Sequence, residues 1–221
     1  MKKIVLFCFL CFTALALMNS CLGVAADISI RSDGSGKIAL EYRVSQMLES
    51  LGRLDGNENW PAIPVGRADF QRSLARIPGL RLSSFSAKDV PHSSGGRDLL
   101  TKAVLEFNNT AALLAFLDSA GSHASLVQEN KSSQASNVLR LVLLDPSDGL
   151  VNADLRSLLR EVSAGYEFSI SVSVPKNAVL SVTPSSLPAA RMVSRGKKVS
   201  FALDMGELLE LNEGLTLEIT W

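Results

Sequence analysis

Residues 166–174, YEFSISVSV, constrain the fold more than any other stretch. Tyr166, Phe168, Ile170, Val172 and Val174 alternate with Glu167, Ser169, Ser171 and Ser173. A period of two puts every apolar side chain on one face of a strand and every polar one on the other. Such a strand is stable only when its apolar face is covered. The same alternation recurs at Ile28 and Ile30, and again at Ile38, Leu40, Tyr42 and Val44, on either side of the turn Asp33-Gly34-Ser35-Gly36. That pattern predicts a β-hairpin. Leu215, Leu217, Ile219 and Trp221 form a last apolar row, so the final strand is expected to be packed. Strands joined by short turns pair antiparallel, with one buried and one solvated face.

Helical spacing separates these strands. Met47, Leu48, Leu51 and Leu54 predict a short amphipathic helix, and DGNENWPAIPVG at 55–66 reads as a loop. A helix is expected to open near Arg67, with Phe70, Leu74 and Ile77 on one side, followed by strands at 80–87 and 100–107. Thr110 is the expected cap of the next helix, whose stripe is Leu113, Phe116, Leu117 and Ala120 and whose end is Gly121. Strands at 124–129 and 138–144 come next. Asn152 then caps a helix with Leu155, Leu158, Leu159 and Val162 as its stripe. Residues 179–183 are expected to pair with the 166–174 strand. A strand at 199–203 and a helix at 207–211 complete the pattern. Helix starts near 67, 111 and 153 give helix-strand-strand units spaced by 42 to 44 residues. The expected fold is α+β: an antiparallel sheet, able to curve strongly, with short helices packed on one face.

The N-terminus sets the compartment. Lys2 and Lys3 precede a charge-free, mostly apolar run, residues 4–18, which has the length of a signal-peptide core and is too short to span a bilayer. Two cleavage sites compete. Val24-Ala25-Ala26 suits ordinary signal peptidase, with a mature chain from Asp27. Met18-Asn19-Ser20-Cys21 resembles a relaxed lipobox of the kind found in spirochaetal lipoproteins. The three cysteines are Cys8, Cys11 and Cys21, so a mature chain holds one terminal thiol or none. Lipidation removes an otherwise unpaired exported thiol. The expected organisation is a signal peptide at 1–20, a lipid-anchored linker at 21–26, and one domain at 27–221. Anchoring by two or three acyl chains is stable, since each buried methylene contributes about 0.8 kcal/mol.

Loss of Lys2 and Lys3 leaves 20 basic against 22 acidic residues, a net charge of −2. That argues against a nucleic-acid partner, which needs a basic surface. No cofactor is expected. Cysteine and histidine do not cluster, and Asp145-Pro-Ser-Asp148-Gly149 lacks the spacing of a calcium loop, so no metal site is expected. The weak catalytic candidates are His92, in a Pro- and Gly-rich loop, and His123, just past a helix end. A Gly-x-Ser-x-Gly nucleophile turn is absent from the sequence. Trp60, between Asn59 and Pro61, is a weak candidate for membrane or ligand contact.

The opening ISIRSDGSGKIALEYRVS resembles the start of the LppM-like domain family of bacterial lipoproteins: strand, Asp-Gly-x-Gly turn, strand. The segments YEFSISVSVPKNAVLS, GKKVSFALDMGELLE and LTLEITW are similar to that family's closing strands. The middle of the chain matches by element order alone. The resemblance implies a lipid-anchored envelope domain in contact with lipids, and it carries no catalytic residues. The leading functional expectation is therefore a non-enzymatic envelope lipoprotein, anchored to a membrane by its N-terminal lipid, that binds a lipid or apolar ligand or an envelope protein. The alternatives are a surface-exposed structural or host-interacting lipoprotein and a lipid-directed hydrolase using His92 or His123.

Overall fold

The computed structural model describes residues 22–45, 66–91, 97–118, 123–131, 134–145, 166–211 and 213–221. The helices expected at 47–54 and 152–162 fall outside them.

The first expected hairpin is present. Strand β1 (Leu22–Ile30) pairs antiparallel with β2 (Gly36–Ser45), from Leu22↔Val44 to Ile30↔Gly36. β1 begins earlier than expected, so residues 22–26 are strand and not a linker. Helix α1 (Arg67–Leu74) precedes the hairpin β3 (Leu80–Pro91) and β4 (Arg97–Phe107). Helix α2 (Thr110–Leu117) precedes the hairpin β5 (Ala124–Lys131) and β6 (Gln134–Leu144). The helix-strand-strand order is thus repeated twice. The cap of α2 is Asn109, not Thr110: its side chain accepts from the Ala112 backbone N–H at 2.8 Å. An Asn amide oxygen at this position satisfies one of the first-turn N–H groups that lack a helical partner.

The remaining elements are β7 (Glu167–Ser173), β8 (Val179–Thr183), β9 (Arg191–Arg195), β10 (Lys198–Asp204), helix α3 (Met205–Glu210) and β11 (Leu215–Thr220). Among the described residues the strands form two sheets. One has seven strands in the order β3-β4-β2-β1-β7-β10-β9; the other has four, β5-β6-β11-β8. β7 lies parallel to β1 and antiparallel to β10, so the larger sheet is mixed and not purely antiparallel. β8 pairs with β11 in the smaller sheet, correcting the expected pairing of 179–183 with 166–174. The physical reason is that both edges of β7 are already taken, by β1 and β10, and the chain leaves the sheet at Pro175.

Among the described residues, a second sheet joins the short helices against the larger one. Ile28, Ile38, Leu105, Val172 and Phe201 from the larger sheet join Leu139, Leu215, Leu217 and Ile219 from the smaller in one continuous core. Each is at most 1% exposed. Each fully buried large side chain of this row contributes roughly 1.5–3 kcal/mol. Helices of six to eight residues are too short to cover a seven-stranded sheet. Among the described residues the second sheet supplies most of the facing core side chains, and the helices pack at its margins. α1 sets Phe70 against Tyr42 and Phe85, with ring centroids 6.3 and 5.6 Å apart. The class is α+β as expected, and neither sheet closes into a barrel.

Candidate functional site

Strand register brings one end of the larger sheet together. Ser29 of β1 lies beside Ser173 of β7, Ser173 beside Lys198 of β10, and Lys198 beside Arg195 of β9. The turn between β9 and β10 is the two residues Gly196 and Lys197, with Gly196 at φ +57°. A two-residue hairpin turn of this sense favours glycine at positive φ. The chain leaving β7 is tied to that turn. The Val174 N–H donates to the Lys197 carbonyl at 2.9 Å, and the Ala178 N–H to the Gly196 carbonyl at 2.8 Å. Four cations, Lys176, Arg195, Lys197 and Lys198, therefore share one pole of the molecule.

No acidic residue occurs between Phe168 and Leu203. Lys198 Nζ is held 2.6 Å from Asp27 Oδ2. Lys176, Arg195 and Lys197 are exposed and have no ion pair among the described residues. Beside them a cleft of about 380 Å³ is lined by apolar Ile30, Leu126, Pro175 and Trp221, by polar Thr110 and Asn137, and by the cations Arg31 and Lys176. Arg31 also borders a second cleft of about 610 Å³, with Lys37, Arg81, Glu106 and Phe107. In that cleft Glu106 accepts from Lys37 at 3.1 Å and from Arg81, and these two hydrogen bonds, Lys37 first, hold its carboxyl below the usual carboxylate range. Asp33 is held low by the Ser35 hydroxyl, at 2.8 Å, and by the Ser35 N–H, which fixes the β1–β2 turn.

The expected candidates are distributed as follows. Cys21, Trp60 and His92 lie outside the described residues. His123 is described. Its Nδ1 lies 3.8 Å from Asp118 Oδ1. The buried Asp118 carboxylate also accepts from the backbone N–H groups of His123 and Ala124, which makes it a clamp on the turn after α2. Among the described residues no group of three or more His, Cys, Asp or Glu side chains is placed to hold a metal ion. No described helix is long and apolar enough to cross a membrane.

Two polar features escape the pattern of alternation. The first is the cationic pole, whose signal is the acid-free stretch from Phe168 to Leu203. The second is Asp98, fully buried on β4, which accepts from the Tyr166 hydroxyl at 2.9 Å. The Tyr166 ring lies over Gly23, where a Cβ would come within 2.6 Å of the ring. The sequence places Tyr166 among inward apolar residues, and nothing local marks Asp98 as its partner 68 residues away.

No family model matches the chain, and no curated protein matches it. Among solved structures, it is similar to the folded domain of the Mycobacterium tuberculosis LppM protein, determined by NMR. The identity is 15% and the TM-score 0.40, over 91% of this chain and 90% of that one. This is a distant likeness of fold; it gives no support to a spirochaetal affiliation.

Proposed function

We propose that this chain is a non-enzymatic lipoprotein of the cell envelope, acylated at Cys21, whose domain binds a lipid or apolar ligand or an envelope partner. The observation that carries the anchor is the position of β1. Residues from Val24 to Ala26 pair with β2 on one side and β7 on the other, in the middle of the larger sheet. Cleavage after Ala26 would remove the first five residues of that strand and leave backbone donors and acceptors of both neighbours unpaired. Cleavage before Cys21 keeps the strand whole. The lipid then sits one residue from the sheet, with no intervening linker.

The ligand reading is supported by the cleft whose lining combines Ile30, Leu126, Pro175 and Trp221 with Arg31 and Lys176, a composition suited to an amphiphile with an acidic head. Two experiments test the proposal. Cys21→Ala should shift the protein from the membrane fraction to the soluble one; unchanged partitioning contradicts the anchor. Native mass spectrometry of the domain, purified without detergent, should show an added mass that denaturation releases as lipid. A bare protein mass, with no binding from membrane extract, contradicts the lipid-ligand reading and leaves the envelope-partner reading.

A further inference from the structure

We infer that the β9–β10 turn and the β7–β8 connection form a docking surface for a phosphate-bearing anionic polymer. That polymer lies on the side of the domain away from its acyl anchor. The membrane-distal placement rests on acylation at Cys21; the polyanion binding does not.

The first argument is charge. The mature chain carries a slight excess of acid, yet the 36 residues from Phe168 to Leu203 hold Lys176, Arg191, Arg195, Lys197 and Lys198 and no acid at all. Arg191 is paired with Glu167, and Lys198 with Asp27. That leaves Lys176, Arg195 and Lys197 exposed at the pole with no ion pair among the described residues. Cations scattered to keep a protein soluble are interspersed with acids. Along this stretch they are segregated, and the neighbouring β1–β2 turn sets Arg31 against the one acid Asp33, so the pole keeps a local positive excess that attracts polyanions.

The second argument is rigidity. The two segments are joined backbone to backbone through Val174, Ala178, Gly196 and Lys197, so the positions from which the cations extend are fixed in the free protein. Less conformational freedom is then lost on binding. Arg195 adds a planar fork that can donate two parallel hydrogen bonds to a phosphate.

Direction favours a polymer over the anchoring bilayer. The pole is at the Ser29 end of β1, seven residues from Leu22. At about 3.3 Å per residue that is roughly 23 Å along the strand. Cys21 directly precedes β1, so the acyl chains and the pole stand at opposite ends of the sheet. The separation exceeds two Debye lengths of about 8 Å at physiological salt. With the sheet standing upright on its anchor, headgroups of the anchoring leaflet are screened from the pole and a polymer beyond it is not; the vesicle arm below tests that orientation.

The test uses the mature chain with fluorescent long-chain inorganic polyphosphate as probe, titrated at several salt concentrations. The test variant is Lys176→Ser/Arg195→Ser/Lys197→Ser. The control variant, Arg67→Ser/Arg76→Ser/Lys88→Ser, removes the same charge elsewhere. None of these six side chains has an ion pair among the described residues, so both variants should melt as the parent does. The inference expects about a ten-fold or greater loss of affinity in the test variant and less than about two-fold in the control. The slope of log affinity against log salt should become shallower by about two units, as three fewer counterion-releasing contacts require. Equal losses in the two variants would overturn the inference, since binding would then follow net charge alone. So would an undetectable interaction of the parent at low salt. A parallel arm uses phosphatidylglycerol vesicles with the Cys21→Ala chain. Tighter binding to vesicles than to polyphosphate, lost in the same test variant, would also overturn it and make a bilayer the partner. An unmodified N-terminus at Asp27 would remove the anchor while leaving the polyphosphate result to stand or fall by itself.

Discussion

Asp98 and Tyr166 show how a buried polar side chain meets a partner from a distant strand. The Tyr166 hydroxyl donates to a carboxylate that is fully out of solvent. Tyr166→Phe keeps the ring over Gly23 and removes the donor. It should cost about 1–3 kcal/mol of stability, measured by urea unfolding, because a buried acceptor loses a partner. A change below about 0.5 kcal/mol would mean that Asp98 is satisfied without it. Glu106 makes a pH-dependent contribution of known sign. Its carboxyl is held below the ordinary value of 4.5 by Lys37 and Arg81. The unfolded state therefore binds the proton more readily, and stability rises with pH through that window. The parent should be more stable than Glu106→Gln at pH 7, and the difference should vanish as the pH falls below 4.5. A difference that persists at pH 2 would contradict the hydrogen-bonded assignment. Neither group was legible in the sequence. Alternation reports which face a residue is on, but says nothing of which polar group from a remote strand will meet it.

At the scale of elements, period and turn chemistry placed most of the strands. The Asp33–Gly36 turn and its flanking alternation gave β1 and β2 in register, and residues 166–174 gave β7. Partnership was harder. Alternation is the same whichever neighbour covers a strand, so it does not separate the smaller sheet from the larger or tell β11 from β7 as the partner of β8. β9 was not foreseen at all. Its five residues, RMVSR, are all exposed, so no alternation of apolar and polar residues marks it. As the free edge of the larger sheet, β9 could pair with its own copy. Antiparallel self-pairing about Val193 would set Arg191 directly opposite Arg195, a like-charge contact that disfavours it. Arg191→Thr/Arg195→Thr should therefore raise self-association, read by sedimentation velocity at increasing concentration. A variant that remains as monodisperse as the parent contradicts this role. β1 has a sharper test. A chain beginning at Asp27 lacks the half of β1 that separates β2 from β7. It should lose cooperative unfolding or melt well below a chain beginning at Leu22. Equal melting would show that the first five residues of the strand are dispensable.

For the whole molecule, the sheet acts as a ruler. Its one end receives the chain immediately after Cys21, and its other end gathers exposed cations beside two clefts. The expectations of a signal-like run and a lipobox-like tetrapeptide rest on residue order alone, because these are local patterns. The cationic pole was not readable from that order, because it forms only when the β7–β8 connection meets the β9–β10 turn. What unites the molecule is the claim that β1 starts where the lipid ends, and the most direct measurement is the intact mass of the mature protein extracted from bacterial membranes. The account predicts a chain beginning at Cys21 and carrying a diacylglycerol group, with or without an amide-linked acyl chain. A soluble, unmodified chain beginning at Asp27 would contradict it.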